Sequence, residues 1–164
     1  MLFPVAHLRR GVPPRLCALL ADGGVWKAGA GVGADAAKLL ADCGAAVGPL
    51  FDIAAFARTL GADVYPSPGL KGLCAAFGVA LHKTKSVSLS DWAARPLRPT
   101  QKDYAAQDAF ASYWLASQLH AQHGGGDDLA TWLARHGSRG DAPVGVPRAL
   151  PPAGAADDLE EGEV

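Results

Sequence analysis

The chain has 164 residues, 49% of them hydrophobic and 19% charged, with 15 Lys+Arg against 16 Asp+Glu. That length and apolar content fit one domain with a core and exclude a chain disordered throughout. No run reaches the ~18 apolar residues of a membrane span, the first residues lack the charged start and apolar core expected of a signal peptide, and Cys17, Cys43 and Cys74 are not spaced as a disulfide framework. An intracellular, non-secreted protein in a reducing compartment is expected, its organelle open. The charge is uneven: residues 151–164 carry five acids and no base, which leaves 15 bases against 11 acids in residues 1–150. Such a mildly basic body tolerates nucleic acid.

Taken in chain order, Met1 to Leu8 reads as a short edge strand because of Pro4. A helix follows Pro13-Pro14 over Arg15 to Leu20 and stops at Gly23-Gly24. Val25 to Gly29 is a strand, and Gly31-Val32-Gly33 turns the chain into a helix over Ala34 to Cys43, with Leu39 and Leu40 facing inward. Ala46 to Phe51 is the next strand, after which Asp52 caps a helix from Ile53 to Leu60. Leu70, Leu73 and Phe77 recur at helical spacing. The longest helix is expected after Pro99, with Thr100 as N-cap and Asp103 as its capping-box partner, running past Leu119 to Gly124. Asp127 or Asp128 caps a last short helix through Trp132 and Leu133. Strands alternating with helices indicate an α/β domain. The divisions expected are a body at 1–123, a short helical extension at 124–136, and a disordered Gly/Pro/acidic tail at 137–164.

Two constellations carry chemistry. Gly29-Ala30-Gly31-Val32-Gly33-Ala34 follows a strand and opens a helix, with Asp52 about 20 residues on. That pattern fits the phosphate turn and ribose acid of an NAD(P)-binding Rossmann fold. A glycine turn with Asp52 as a plain N-cap fits equally well. The second is Tyr104-Ala105-Ala106-Gln107-Asp108, which sets a phenol and a carboxylate one turn apart on one helix face. Asp35, in the first turn after the glycines, is a third polar candidate: a ligand, or a complement to the helix dipole.

In order along the chain, these segments resemble the 3′–5′ exonuclease domain of the DEDD type, tyrosine subclass (DEDDy), as in ribonuclease D and the Werner-helicase exonuclease. Lys27 through Asp35 with Lys38-Leu39-Leu40 resembles the second exonuclease motif. Ser67-Pro68-Gly69-Leu70-Lys71-Gly72-Leu73, Leu81-His82-Lys83-Thr84-Lys85 and Ser90-Asp91-Trp92-Ala93-Ala94-Arg95-Pro96-Leu97 resemble the block before the last helix. Gln101 through Ala109 resembles the third motif, Tyr-x-x-x-Asp. The resemblance covers about residues 2–120 and implies a ribonuclease H-like fold. It also implies metal-dependent hydrolysis of a phosphodiester at the 3′ end of single-stranded DNA or RNA, with two Mg²⁺ or Mn²⁺ ions. By it, Asp35 and Asp108 are metal ligands, Tyr104 orients the attacking water, and Lys27, Lys85 and Arg95 face phosphates.

The same resemblance sets two expectations about incompleteness. The family's first motif, Asp-x-Glu, has no counterpart: the first glutamate is Glu160 and no Asp precedes Asp22. The first two strands of the sheet are therefore expected to be absent, as in a domain truncated at its N-terminus. Half of the metal site is then missing, and a protein partner that completes or covers the sheet is called for. A non-catalytic relative that binds nucleic acid or a partner is the alternative. Trp92 and Phe77 are expected to be packed in the interior rather than to stack on bases.

Overall fold

The structure, a computed structural model, describes residues 11–139; the strand expected over Met1 to Leu8 lies outside them. The order is α1 (Pro14–Ala21), β1 (Lys27–Gly29), α2 (Val32–Cys43), β2 (Leu50–Asp52), α3 (Ile53–Thr59), α4 (Leu70–Ala76), α5 (Lys85–Ser88), α6 (Pro99–His123) and α7 (Leu129–His136). This is a mixed α/β arrangement around a small parallel sheet. Lys27 pairs with Leu50, Ala28 with Phe51 and Gly29 with Asp52.

Both strands are shorter than their apolar runs, because Pro49 has no N–H with which to extend the ladder upstream of Leu50. Its carbonyl instead accepts from Lys27 N at 2.9 Å. The far edge of β2 is covered by residues expected in the tail. Leu50 N donates to Ser138 O at 2.7 Å, and Ser138 N returns a bond to Leu50 O at 2.8 Å. The ordered body thus runs past His136. Only glycine fits at 137, where a Cβ would stand 2.7 Å from Leu50 O and 2.8 Å from Leu133 O.

The core gathers β2, α3, α4, α6 and α7. Phe51, Ile53, Leu73, Leu115 and Leu119 are fully buried, and Trp132 from α7 lies among them with Phe51 and Phe56. The helix after residue 124 is thus built into the same core as the sheet. By contrast α2 buries none of its residues, and Leu40 is 49% exposed against the expectation that it faces inward. Among the described residues no second layer covers that helix, so its apolar spacing meets solvent.

The start of α6 also differs from expectation. Arg98 is the N-cap and Pro99 the first helical residue, so the register lies two residues earlier than a Thr100 cap. Proline is suited to that position because its missing N–H would have no intrahelical partner. Gln101, three residues after the cap, accepts from Arg98 N at 2.9 Å, the role expected of Asp103.

Asp52 performs the capping expected of it. Its Oδ1 accepts from Ala54 N and Ala55 N, each at 3.0 Å, and from Gly31 N at 3.1 Å. Gly31 has φ 77°, a left-handed conformation that glycine enters without strain. One carboxylate thus starts α3 and ties it to the glycine turn. Asp52→Ala is expected to lower stability by about 1–2 kcal/mol, readable as a shifted denaturation midpoint.

Candidate nucleic-acid interface

The N-terminal half of α6 places Tyr104 and Asp108 one turn apart, both half-buried, toward the segment that joins α4 to α5. In that segment Leu81 packs against the core and anchors the chain two residues before Lys83. The Lys83 ammonium lies 2.7 Å from Asp108 Oδ1, with the two side chains 23% and 33% exposed. Oδ1 is buried and receives no aligned hydrogen bond, so charge rather than a directed bond holds the pair. The same ammonium sits 5.2 Å from the centre of the Tyr104 ring, within cation–π range. Cys74 on α4 lies close enough to feel both charges, but burial dominates and pushes its thiol up, leaving it inert.

The other wall is the segment Ser88 to Arg98. Gln101, 2% exposed, docks it: its amide donates to Ser90 Oγ at 3.0 Å and to Asp91 O at 2.8 Å. Trp92 then stands edge-on to Tyr104 at 5.9 Å between ring centres, its indole N–H on Ser88 O at 3.1 Å. Phe77 is packed as expected, stacked on Tyr65 at 6.1 Å. Trp92 is not: it is 39% exposed, because the segment carrying it lies on α6 rather than under it.

Asp35 is exposed in the first turn of α2. Lys27 donates to Asp22 O at 2.9 Å and Gly48 O at 2.8 Å, holding the approaches to both strands. Burial pushes its pKa down, with Asp22 opposing. Lys85, the first residue of α5, and Arg95, seven residues past its end, are both exposed.

A family profile described as 3′–5′ exonuclease matches residues 5–123. The chain belongs to the 3′–5′ exonuclease family. An Arabidopsis thaliana 3′–5′ exonuclease is 33% identical over 118 residues, 70% of this chain and 40% of that protein. The mouse exonuclease 3′–5′ domain-containing protein 2 is 35% identical over 112 residues, 67% of this chain and 17% of its own length. This exonuclease-family chain therefore spans less than half of the curated relatives it matches. A crystal structure of the EXD2 exonuclease domain soaked in Mn is 31% identical, covering 76% of this chain and 62% of that one, with a TM-score of 0.35.

A divalent ion needs several hard oxygen ligands around one point. Among the described residues no three His, Cys, Asp or Glu side chains converge on one. Asp108 is already neutralised by Lys83, and Asp35 is exposed to solvent. These residues do not fit a two-ion site.

Two functional residues escaped the sequence reading. Lys83 stood inside the matched block with no role, since nothing in Leu81-His82-Lys83-Thr84-Lys85 says which lysine turns to α6. Gln101 carried a usable signal, a Gln two positions after a helix-starting Pro.

Proposed function

We propose that this chain is the nucleic-acid-binding body of a 3′–5′ exonuclease of the tyrosine subclass, taking the 3′ end of single-stranded DNA or RNA along the face that carries Tyr104, Trp92, Lys85 and Arg95. The observation that carries this is the meeting of Tyr104, Asp108 and Lys83 beside an exposed Trp92, in a chain whose residues 5–123 match the family. A half-exposed indole next to a phenol offers a terminal base a stacking surface. Lys85 and Arg95, exposed before and after Trp92 along the chain, supply charge for backbone phosphates. Hydrolysis at that end by Mg²⁺ or Mn²⁺ belongs to the reading only where further carboxylates join Asp35 and Asp108, because two cannot balance two dications. An incomplete ribonuclease H-like sheet, and a protein partner that completes or covers it, belong to the same reading; what supports them is that β1 has β2 as its one strand neighbour among the described residues. Leu40, Phe110 and Tyr113 are among the large apolar groups left exposed for such a partner.

The test is fluorescence anisotropy of a labelled single-stranded oligonucleotide titrated with the full chain, in EDTA, across a range of salt. Saturable binding is expected, and Lys85→Ala with Arg95→Ala is expected to lower the salt slope by about 1.4, the value for two contacts to a single strand. Trp92→Ala weakens binding at every salt concentration. The Rossmann-type alternative predicts instead that NAD raises the melting temperature and that the oligonucleotide does not bind. That result, or binding indifferent to all three substitutions, ends the proposal.

A further inference from the structure

Resting on the exonuclease-family reading of Tyr104 and Asp108, we infer that the cation bound by Asp108 in this chain is the ammonium of Lys83, in place of a divalent metal ion. Three observations converge on this. The ammonium stands 2.7 Å from the one Asp108 oxygen that is buried. It also lies 5.2 Å above the Tyr104 ring, so both residues of the Tyr-x-x-x-Asp motif address the same charge. No other carboxylate, histidine or cysteine pair among the described residues joins them to build an ion cage.

The energetics favour the lysine. A dication at Asp108 would face the ammonium at short range and would find one carboxylate where it needs several oxygens. Lysine needs no cage: its charge comes with a covalent tether, and Leu81, packed in the core, holds that tether in place. Lys83 cannot swing away at no cost, because leaving exposes Asp108 Oδ1 as a buried, unpaired carboxylate oxygen. The site therefore binds its ligands with a fixed monovalent charge at this point, and added metal does not change it.

The experiment is a Mn²⁺ titration of the isotopically labelled full chain, followed by paramagnetic broadening of amide signals, on wild type and Lys83→Met. Methionine keeps the length of the stem and removes the charge. In wild type, the amides of Tyr104, Asp108 and Ser112 are expected to stay sharp. In Lys83→Met they are expected to broaden only as weakly as the amides beside a lone exposed carboxylate such as Asp35, since one carboxylate builds no ion cage. A thermal-melt cycle accompanies it: Lys83→Met is expected to lower the midpoint more than Lys83→Met combined with Asp108→Asn, since the double variant leaves no bare carboxylate. Selective broadening around Asp108 in wild type overturns the inference, and so do midpoint shifts that simply add. The oligonucleotide titration in EDTA reports separately: its failure alone removes the nucleic-acid reading and leaves the Lys83–Asp108 assignment standing.

Discussion

Trp132→Ala is expected to lower the unfolding free energy by about 3–5 kcal/mol, the usual cost of emptying an aromatic core position. Trp132 is 1% exposed, with ring centres at 4.9 Å to both Phe51 and Phe56, 5.5 Å to His120 and 5.4 Å to His136. It is the point at which α7 meets the sheet and α3. A domain of this size has only ~5–15 kcal/mol in all, so the variant is expected to lose a large share of its stability and to unfold at a much lower denaturant concentration. The loss should spread in a definite order. With α7 detached, Gly137 and Ser138 leave β2, and Leu50 loses both of its bonds to Ser138. Urea denaturation followed by circular dichroism reads the total, and amide exchange at Leu50 reads the edge. Trp132→Phe is the informative control. Its smaller ring leaves a void, but it also removes a buried indole N–H that has no partner. The two effects oppose, and a cost under about 1.5 kcal/mol is expected. Equal losses for Ala and Phe would show that the ring cluster does not hold α7.

How far the sequence reached can be followed residue by residue. Asp52 was legible as a cap because capping depends on a side chain two or three positions from its donors, and such distances are fixed by local geometry. The α6 start was displaced because proline's preference for the first helical position outweighed threonine's for the cap. Leu40 misled because periodicity reports an apolar stripe without reporting whether anything covers it. The reach of Ser138 back to Leu50 spans 88 positions of chain and left no local trace beyond one glycine at 137. In the site, the placing of Tyr104 and Asp108 one turn apart on one helix face followed from helical spacing, and their roles rested on the resemblance. Lys83 did not, since which member of a basic cluster turns toward a helix is decided by the packing of Leu81 and not by its neighbours in sequence.

Gln101→Ala is expected to cost about 2–3 kcal/mol and to disturb the site more than the fold. This buried side chain makes three bonds, from Arg98 N at 2.9 Å and to Ser90 Oγ at 3.0 Å and Asp91 O at 2.8 Å. Truncation strips all three partners at once, and a lost bond that leaves a buried group unpaired costs roughly 1–3 kcal/mol. Part of that is recovered because Asp91 lies at the surface, where water replaces the lost donor. What water cannot replace is the tether. Ser90, Asp91 and Trp92 are fastened to α6 through Gln101, and Trp92 keeps its edge on Tyr104 only while that segment is docked. Amide exchange over residues 88–95 is therefore expected to rise far more than in α3 or α7, and oligonucleotide affinity to fall with it. Gln101→Glu separates the two ends of the side chain. A carboxylate still accepts from Arg98 N at the helix start but cannot donate to Ser90 or Asp91, and it sets negative charge against the Asp91 carbonyl. The helix end should survive in that variant while the segment undocks, giving fast exchange at 90–92 with α6 protection intact. Protection retained across residues 88–95 in both variants would mean that Trp92 is held by its own bond to Ser88 O, and the role given to Gln101 would fall.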